Sequence, residues 1–365
     1  MRSVGVEEEL LLVDAETGEP QAVSAAVLAH SDGAVGTHGE QVFEQELQRQ
    51  QVEFATSPQT RADELAAEIH RCRAEAARLA GRTGASVAAL ATSPLPVSPA
   101  LTPGTRYRWM AERFGLTLSD QLTCGCHVHV SVDSDEEGVA VLDRIRPWLP
   151  VLLALSANSP FWQGQDSSYS SYRSQMWGRW PSAGPTEVFG SADRYHEQVR
   201  DMVGTGVLRD EGMIYFDARL SHRYPTVEIR VADVCLDPDT TVLLALLCRA
   251  LVETAARRWQ AGEPPARLGA SLVHLANWQA ARYGLDDRLL HPLTMRPAPA
   301  ETVVRALFDH VRDALDDHGD AKGAQDTLSG LLKHGNGATT QRAIMGRTDS
   351  LRAVVTECVR LTAGG

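Results

Sequence analysis

Between residues 4 and 13 the chain reads Val-Gly-Val-Glu-Glu-Glu-Leu-Leu-Leu-Val, apolar at both ends with three carboxylates between. Successive side chains of a β-strand point to opposite faces. A strand here therefore puts Glu7 and Glu9 on one face, and Glu8 on the other with Val6, Leu10 and Leu12. Strict alternation returns over residues 121–133, where His127, His129 and Ser131 share one face and Val128, Val130 and Val132 the other. Residues 226–233 place Glu228 and Arg230 together in the same way. Further strands are expected over 41–48 and 51–58, as a hairpin or bent ribbon closed by Pro58, and over 86–92 and 213–219. Leu65, Ile69, Cys72, Ala76 and Leu79 recur at helical steps, which predicts a helix over 61–82 ended by Gly81 and Gly84. A short helix over 21–30 leads into a loop at Ser31-Asp32-Gly33, and a helical turn is expected over 107–114. Residues 136–156 read as a helix broken at Pro147, and 192–203 as another. From Pro238 onward the pattern is helical, over 239–259, 268–282, 299–317, 321–333 and 348–362. No internal repeat or low-complexity linker divides the chain. The expected organisation is one α+β domain over 1–365, with a sheet-forming core over about 1–235 and a helical part over about 236–365 that covers the sheet.

Composition narrows the chemistry. The formal net charge of −12 argues against nucleic acid or an anionic membrane as the partner. Lys322 and Lys333 are the only lysines, and neither completes a P-loop, so phosphate would have to be handled by arginine, metal and backbone amides. No secretory signal precedes the first strand, and no apolar run reaches the ~18 residues needed to span a bilayer. The cysteines, at 72, 124, 126, 235, 248 and 358, are scattered apart from Cys124-Gly-Cys126. Reduced thiols in a cytoplasmic protein are the expectation.

Two carboxylates on one face of an apolar strand repel each other unless cations sit between them. Solvated glutamates on an edge strand would be the ordinary alternative. Glu7, Glu9, Glu46, Glu53, His127 and Glu228 all fall on expected strands, however, and an oxygen-rich set with one imidazole suits Mg²⁺ or Mn²⁺. The competing reading is a soft-metal site at Cys124-Gly-Cys126-His127-Val-His129, although Cys126 and His127 would point apart. Residues 158–189 form a polar stretch with several aromatics and arginines, expected as a binding loop.

In this context the sequence resembles the glutamate–cysteine ligase type 2 family of carboxylate–amine ligases. The resemblance rests on Gly5-Val-Glu7-Glu-Glu9, on Glu46 with Val52-Glu53-Phe-Ala-Thr56, and on Cys126-His127-Val-His129-Val-Ser131. Asn158-Ser-Pro-Phe-Trp162 and Val227-Glu228-Ile-Arg230 complete it. It implies the catalytic fold of glutamine synthetase: a curved, mainly antiparallel sheet forming a concave active site, with helices on its outer face. It also implies ATP with Mg²⁺ or Mn²⁺, small-molecule acid and amine substrates (glutamate as the acid, weak activity on cysteine), and self-association as a homodimer. By resemblance, Glu7, His127 and Glu228 hold the metal at the nucleotide phosphates, and Glu9, Glu53 and Glu46 hold the metal nearer the acid. His129 and Ser131 contact the nucleotide, and Arg230 stabilises the transferred phosphoryl group beside Glu228. Arg173 and Arg179 are the preferred partners of a substrate carboxylate, ahead of Arg219 and Arg223, and Tyr169, Tyr172, Trp162 and Trp177 form either a substrate or nucleobase wall or the packing of the loop. A guanidino phosphotransferase on the same fold, or a metal- or nucleotide-binding protein without turnover, are the alternatives.

Overall fold

The computed structural model describes residues 1–31 and 42–364. Asp32 and Gly33 of the expected loop, and Gln41 at the head of the expected ribbon, lie outside the described residues. The strands are β1 (Val4–Asp14), β2 (Phe43–Gln45), β3 (Gln51–Ala55), β4 (Ala85–Ala88), β5 (Gly125–Ser131), β6 (Phe161–Trp162), β7 (Gln165–Asp166), β8 (Ala218–Leu220), β9 (Thr226–Asp233), β10 (Arg288–Leu290) and β11 (Pro297–Pro299). Seven of them form one sheet in the order β2-β3-β1-β5-β9-β8, with β4 also paired to β1. Every pairing in it is antiparallel. The expected α+β class with a mainly antiparallel sheet is thus what the chain adopts.

Alternation along β1 decides which face is covered. Val6, Leu10 and Leu12 are fully buried and belong to the core between sheet and helices. Helix Pro238–Gln260 packs on β1 and β5, helix Ala62–Gly81 on β1 and β4, and helix Leu149–Ser156 on β9. Glu8 points into this helix face, where Arg73 of helix Ala62–Gly81 grips its carboxylate with bonds of 2.8 and 2.7 Å. Both side chains are completely buried. The opposite face, which carries Glu7 and Glu9, lines an open cavity.

Several boundaries differ from expectation for identifiable reasons. The expected break at Pro147 is a 3₁₀ turn, Arg146–Trp148, between helices Asp135–Ile145 and Leu149–Ser156. The stretch at 213–219 begins as a 3₁₀ turn, Glu211–Met213, and becomes a strand only at Ala218. The expected binding loop at 158–189 is largely structural. It holds the β6–β7 hairpin and helix Tyr172–Trp177, and Asp233 clamps it by accepting bonds from Asn158 N, Ser159 Oγ and Ser171 Oγ. Helix Gly337–Thr348 and the β10–β11 hairpin were not expected. Gly337 is demanded by close approach, since a Cβ there would lie 2.1 Å from the buried Asn158 Oδ1. Asp349, at φ +50°, separates that helix from Leu351–Thr362.

Candidate active site

Strand register brings the acidic groups together. Across the β1–β5 ladder Glu7 faces His127, and across β1–β3 Glu9 faces Glu53. His129 faces Glu228 across β5–β9, and Glu228 faces Arg219 across β8–β9. All seven side chains therefore project to the face away from the helices. A bulge opposite His127, where the β5–β9 register shifts between Cys126 and Val128, turns β9 locally at Arg230. The resulting cavity has a volume of about 500 Å³. Glu7, Glu9, Glu46, Glu53, His127, His129, Arg219, Glu228 and Arg230 line it.

Three overlapping groups of donors sit within coordinating reach: Glu7–His129–Glu228, Glu7–Glu53–His127 and Glu9–Glu46–Glu53. Glu7 belongs to the first two and Glu53 to the last two, so the groups form a continuous row. Glu7 is shared between imidazoles, with Oε2 3.3 Å from His127 Nδ1 and Oε1 3.2 Å from His129 Nε2. Burial would raise Glu7, but His129 and His127 outweigh it and hold the carboxyl well below its ordinary range. Burial pushes His127 down to about 4, aided by Arg230, so its imidazole is neutral and able to ligate. Glu7 outweighs burial at His129 and raises it. At the other end, burial and then the Glu46 charge push Glu9 up to about 7. Glu53 is raised well above the usual range by burial, then by Glu46, Glu7 and Glu9. Glu228 is opposed by burial but depressed by Arg230 and Arg219, which contact its two oxygens.

These residues fit divalent cations. His127 Nε2 is buried without a hydrogen-bond partner among the described residues, and the crowded Glu9, Glu46 and Glu53 carboxylates lack a positive charge inside their own group. Oxygen donors dominate, as Mg²⁺ or Mn²⁺ prefer. No cysteine belongs to any of the three groups, and Cys124 and Cys126 are free buried thiols raised well above their ordinary range by burial. The soft-metal reading of Cys124-Gly-Cys126 therefore has no support among the described residues.

The carboxylate row has a measurable consequence. Glu9 is shifted from 4.5 to about 7, and a carboxyl raised on folding stabilises the fold at low pH and ceases to do so as pH rises through that window. Without divalent ions, the contribution of Glu9 to the thermal midpoint should fall between about pH 4.5 and 7. Millimolar Mg²⁺ should raise the midpoint more at the upper end than at the lower. Equal Mg²⁺-induced shifts at both ends, read by differential scanning fluorimetry, would contradict this account.

Other expected site residues lie elsewhere. Ser131 does not line the cavity, because its Oγ accepts the Ser3 N–H at 3.0 Å where β5 ends. Arg179 lies 3.4 Å from Asp120 and outside the cavity. Tyr172 packs against Trp162 and Tyr169, also outside it. Arg173 is buried outside the lining of the cavity, against Gly125 of β5, where a Cβ would meet its guanidinium at 2.3 Å. Helix Tyr172–Trp177 carries Tyr172 and Arg173 and is fastened through its N-cap Ser171 to Asp233, and Arg179 follows in the turn after it. Arg219 and Arg223, the second-choice arginines, do line the cavity. So do Trp177 and Trp180 of the expected binding loop, and Glu44, Arg106, Tyr107 and Tyr215, which no pattern in the sequence singled out. Glu44 was detectable in principle, being two residues from Glu46 on the same expected strand and facing Glu53 across the β2–β3 ladder.

The sequence matches the family described as glutamate–cysteine ligase family 2 over residues 3–357. A Streptomyces avermitilis protein named "Putative glutamate–cysteine ligase 2-1" is 66% identical over 364 residues, covering 100% of both chains. A Streptomyces coelicolor protein of the corresponding name is 63% identical and covers 99% of both. Among solved structures, a glutamate–cysteine ligase of Francisella tularensis in complex with AMP is similar at a TM-score of 0.71 and 13% identity, covering 100% of this chain and 88% of its own. A bifunctional glutathione synthetase of Pasteurella multocida is similar at a TM-score of 0.69 and 13% identity, covering 100% of this chain and 52% of its own. At such identities the structural likeness concerns the fold. Among the described residues no helix is long and apolar enough to cross a membrane.

Proposed function

The chain belongs to glutamate–cysteine ligase family 2, and we propose that it is an ATP-dependent carboxylate–amine ligase working through an acyl phosphate, with glutamate as the acid. One observation carries the reading: a continuous row of cation-competent carboxylates and imidazoles ends beside two buried arginines on one sheet face. A carboxylate cannot expel hydroxide in favour of an amine under mild conditions. In the proposed reaction, a carboxylate oxygen attacks the γ-phosphorus and ADP leaves. The amine nitrogen then attacks the acyl carbon and phosphate leaves, with one proton lost from nitrogen.

Phosphoryl transfer depends on positioning and on neutralising oxygen charge. Divalent cations held by Glu7, His127, His129 and Glu228, and by Glu9, Glu46 and Glu53, would supply most of that neutralisation. Arg230 contributes a fixed guanidinium, oriented by its contact with Glu228, which Arg219 braces from the other side at 2.8 Å. His129 is thus assigned to the cation-holding set rather than to nucleotide contact alone. The AMP bound by the Francisella tularensis protein of similar fold supports nucleotide use.

The test is a ligation screen with the purified chain, ATP and Mg²⁺, pairing amino acids with amines and read by ADP release and by mass spectrometry. ADP and an amide should appear together, and only when both acid and amine are present. Phosphorylation of a guanidino compound without amide would establish the phosphotransferase instead. Neither product across a broad panel would overturn the ligase reading.

A further inference from the structure

A second, smaller cavity adjoins the main one and shares Trp177 and Arg230 with it. Its volume is about 100 Å³. That is roughly three waters' worth at ~30 Å³ each. It opens beside the exposed His274 and Trp278 on helix Ala270–Tyr283. The bulge in the β5–β9 ladder lets the consecutive residues Arg230 and Val231 both line it.

Its polar groups are poorly matched to one another. Arg173 is 2% exposed, and a guanidinium offers five N–H donors. Its guanidinium lies over the Trp177 indole, 5.5 Å from the ring centroid, and its oxygen partners are distant: the Arg230 carbonyl oxygen at 3.4 Å and Asp233 Oδ1 at 4.0 Å. Ordinary N–H···O bonds measure about 2.9–3.0 Å. Arg173 Nε has no hydrogen-bond partner among the described residues, nor has Arg230 Nε. The acidic group in this cavity is Asp217, whose Oδ2 accepts a 2.6 Å bond from Asn277 Nδ2. That bond orients the amide and leaves Asn277 Oδ1 buried without a donor. A small chamber thus holds surplus donors from a buried cation and surplus acceptors from an amide beside a carboxylate.

We propose that this chamber binds a compact zwitterion, an α-amino acid of about the size of glycine or alanine, with its carboxylate on Arg173 and its ammonium between Asp217 and Asn277 Oδ1. A carboxylate satisfies the guanidinium with charge-assisted bonds, and an ammonium donates to both acceptors. Neither half alone satisfies both sets, so singly charged analogues bind less well. A volume of about 100 Å³ suits a small side chain. Because the occupant touches Arg230 and Trp177, it sits one side chain away from the reaction face.

The experiment is calorimetric titration of the full chain, without ATP, with glycine, acetate and methylamine in turn. Glycine should bind saturably, and acetate and methylamine each about tenfold more weakly or less. Asn277→Leu and Asp217→Asn should each weaken glycine by about tenfold with an unchanged thermal midpoint. Glu53→Gln, in the main cavity, should leave glycine affinity within about twofold. Absence of saturable glycine binding, acetate binding as tight as glycine, or loss of binding in Glu53→Gln would each overturn the proposal. The readout needs no turnover, so failure of the ligase reading would leave it standing and vice versa.

Discussion

Glu9→Gln is expected to remove ATP-dependent turnover by about three orders of magnitude while the protein stays folded. Glu9 is the deepest carboxylate of the Glu9–Glu46–Glu53 group, only 7% exposed. Its charge is what the group offers a cation, and an amide keeps the shape while removing that charge. The local fold survives because the Gly125 N–H, which bonds Glu9 Oε2 at 2.7 Å, finds an equivalent acceptor in the glutamine oxygen. Stability should even rise in the absence of divalent ions. A folded-state value of about 7 against 4.5 means that an ionised Glu9 opposes folding above neutral pH. At ~1.4 kcal/mol per unit this is on the order of 3 kcal/mol. The measurement pairs ADP release under saturating Mg²⁺ with thermal denaturation in chelator. Turnover within tenfold of the parent would remove Glu9 from the chemistry.

What could be read from the sequence was the two-residue period. It separates Glu7 and Glu9 from Glu8 without any knowledge of the partners, and it does the same for His127 and His129 against Val128. What could not be read was register. That Glu7 meets His127 while Glu9 meets Glu53 depends on pairings between residues 120 and 44 positions apart, and no local pattern encodes them. Arg73 illustrates a different difficulty. It lies beside Cys72 on the flank of an apolar helical stripe, where an arginine looks like the edge of the solvated face, and its burial makes sense only once Glu8 is opposite. Arg173 and Arg179 lie outside the cavity because the aromatic and polar richness that suggests a binding loop is used here for packing. Here the serines and Asn158 serve instead to satisfy one buried aspartate, Asp233. For His129, alternation fixes the face on which it sits but not its 3.2 Å approach to Glu7.

Arg73→Met is expected to do the reverse of Glu9→Gln, costing stability and sparing chemistry. Arg73 donates to both Glu8 oxygens, to the carbonyl oxygens of Leu236 at 3.0 Å and Cys235 at 2.7 Å, and to Thr241 Oγ1 at 3.3 Å. Thr241 in turn donates to Glu8 Oε1 at 2.6 Å. One guanidinium thereby ties β1 to helix Ala62–Gly81 and to the start of helix Pro238–Gln260. Removing it strands a buried carboxylate and two carbonyls, a loss of about 3–5 kcal/mol. Out of the ~5–15 kcal/mol typical of a folded protein, that is a large share. The paired change Glu8→Leu with Arg73→Met should recover most of it, because an apolar pair of similar volume leaves no stranded charge. Denaturant midpoints of the three variants test this, with turnover measured where each remains folded. There the Arg73→Met protein should work within a few-fold of the parent, since neither Glu8 nor Arg73 reaches the cavity. A variant as stable as the parent, or one folded but inactive, would break the division of labour between neighbouring glutamates on β1: Glu8 turned to the core to hold the strand, Glu7 and Glu9 turned outward to hold charge.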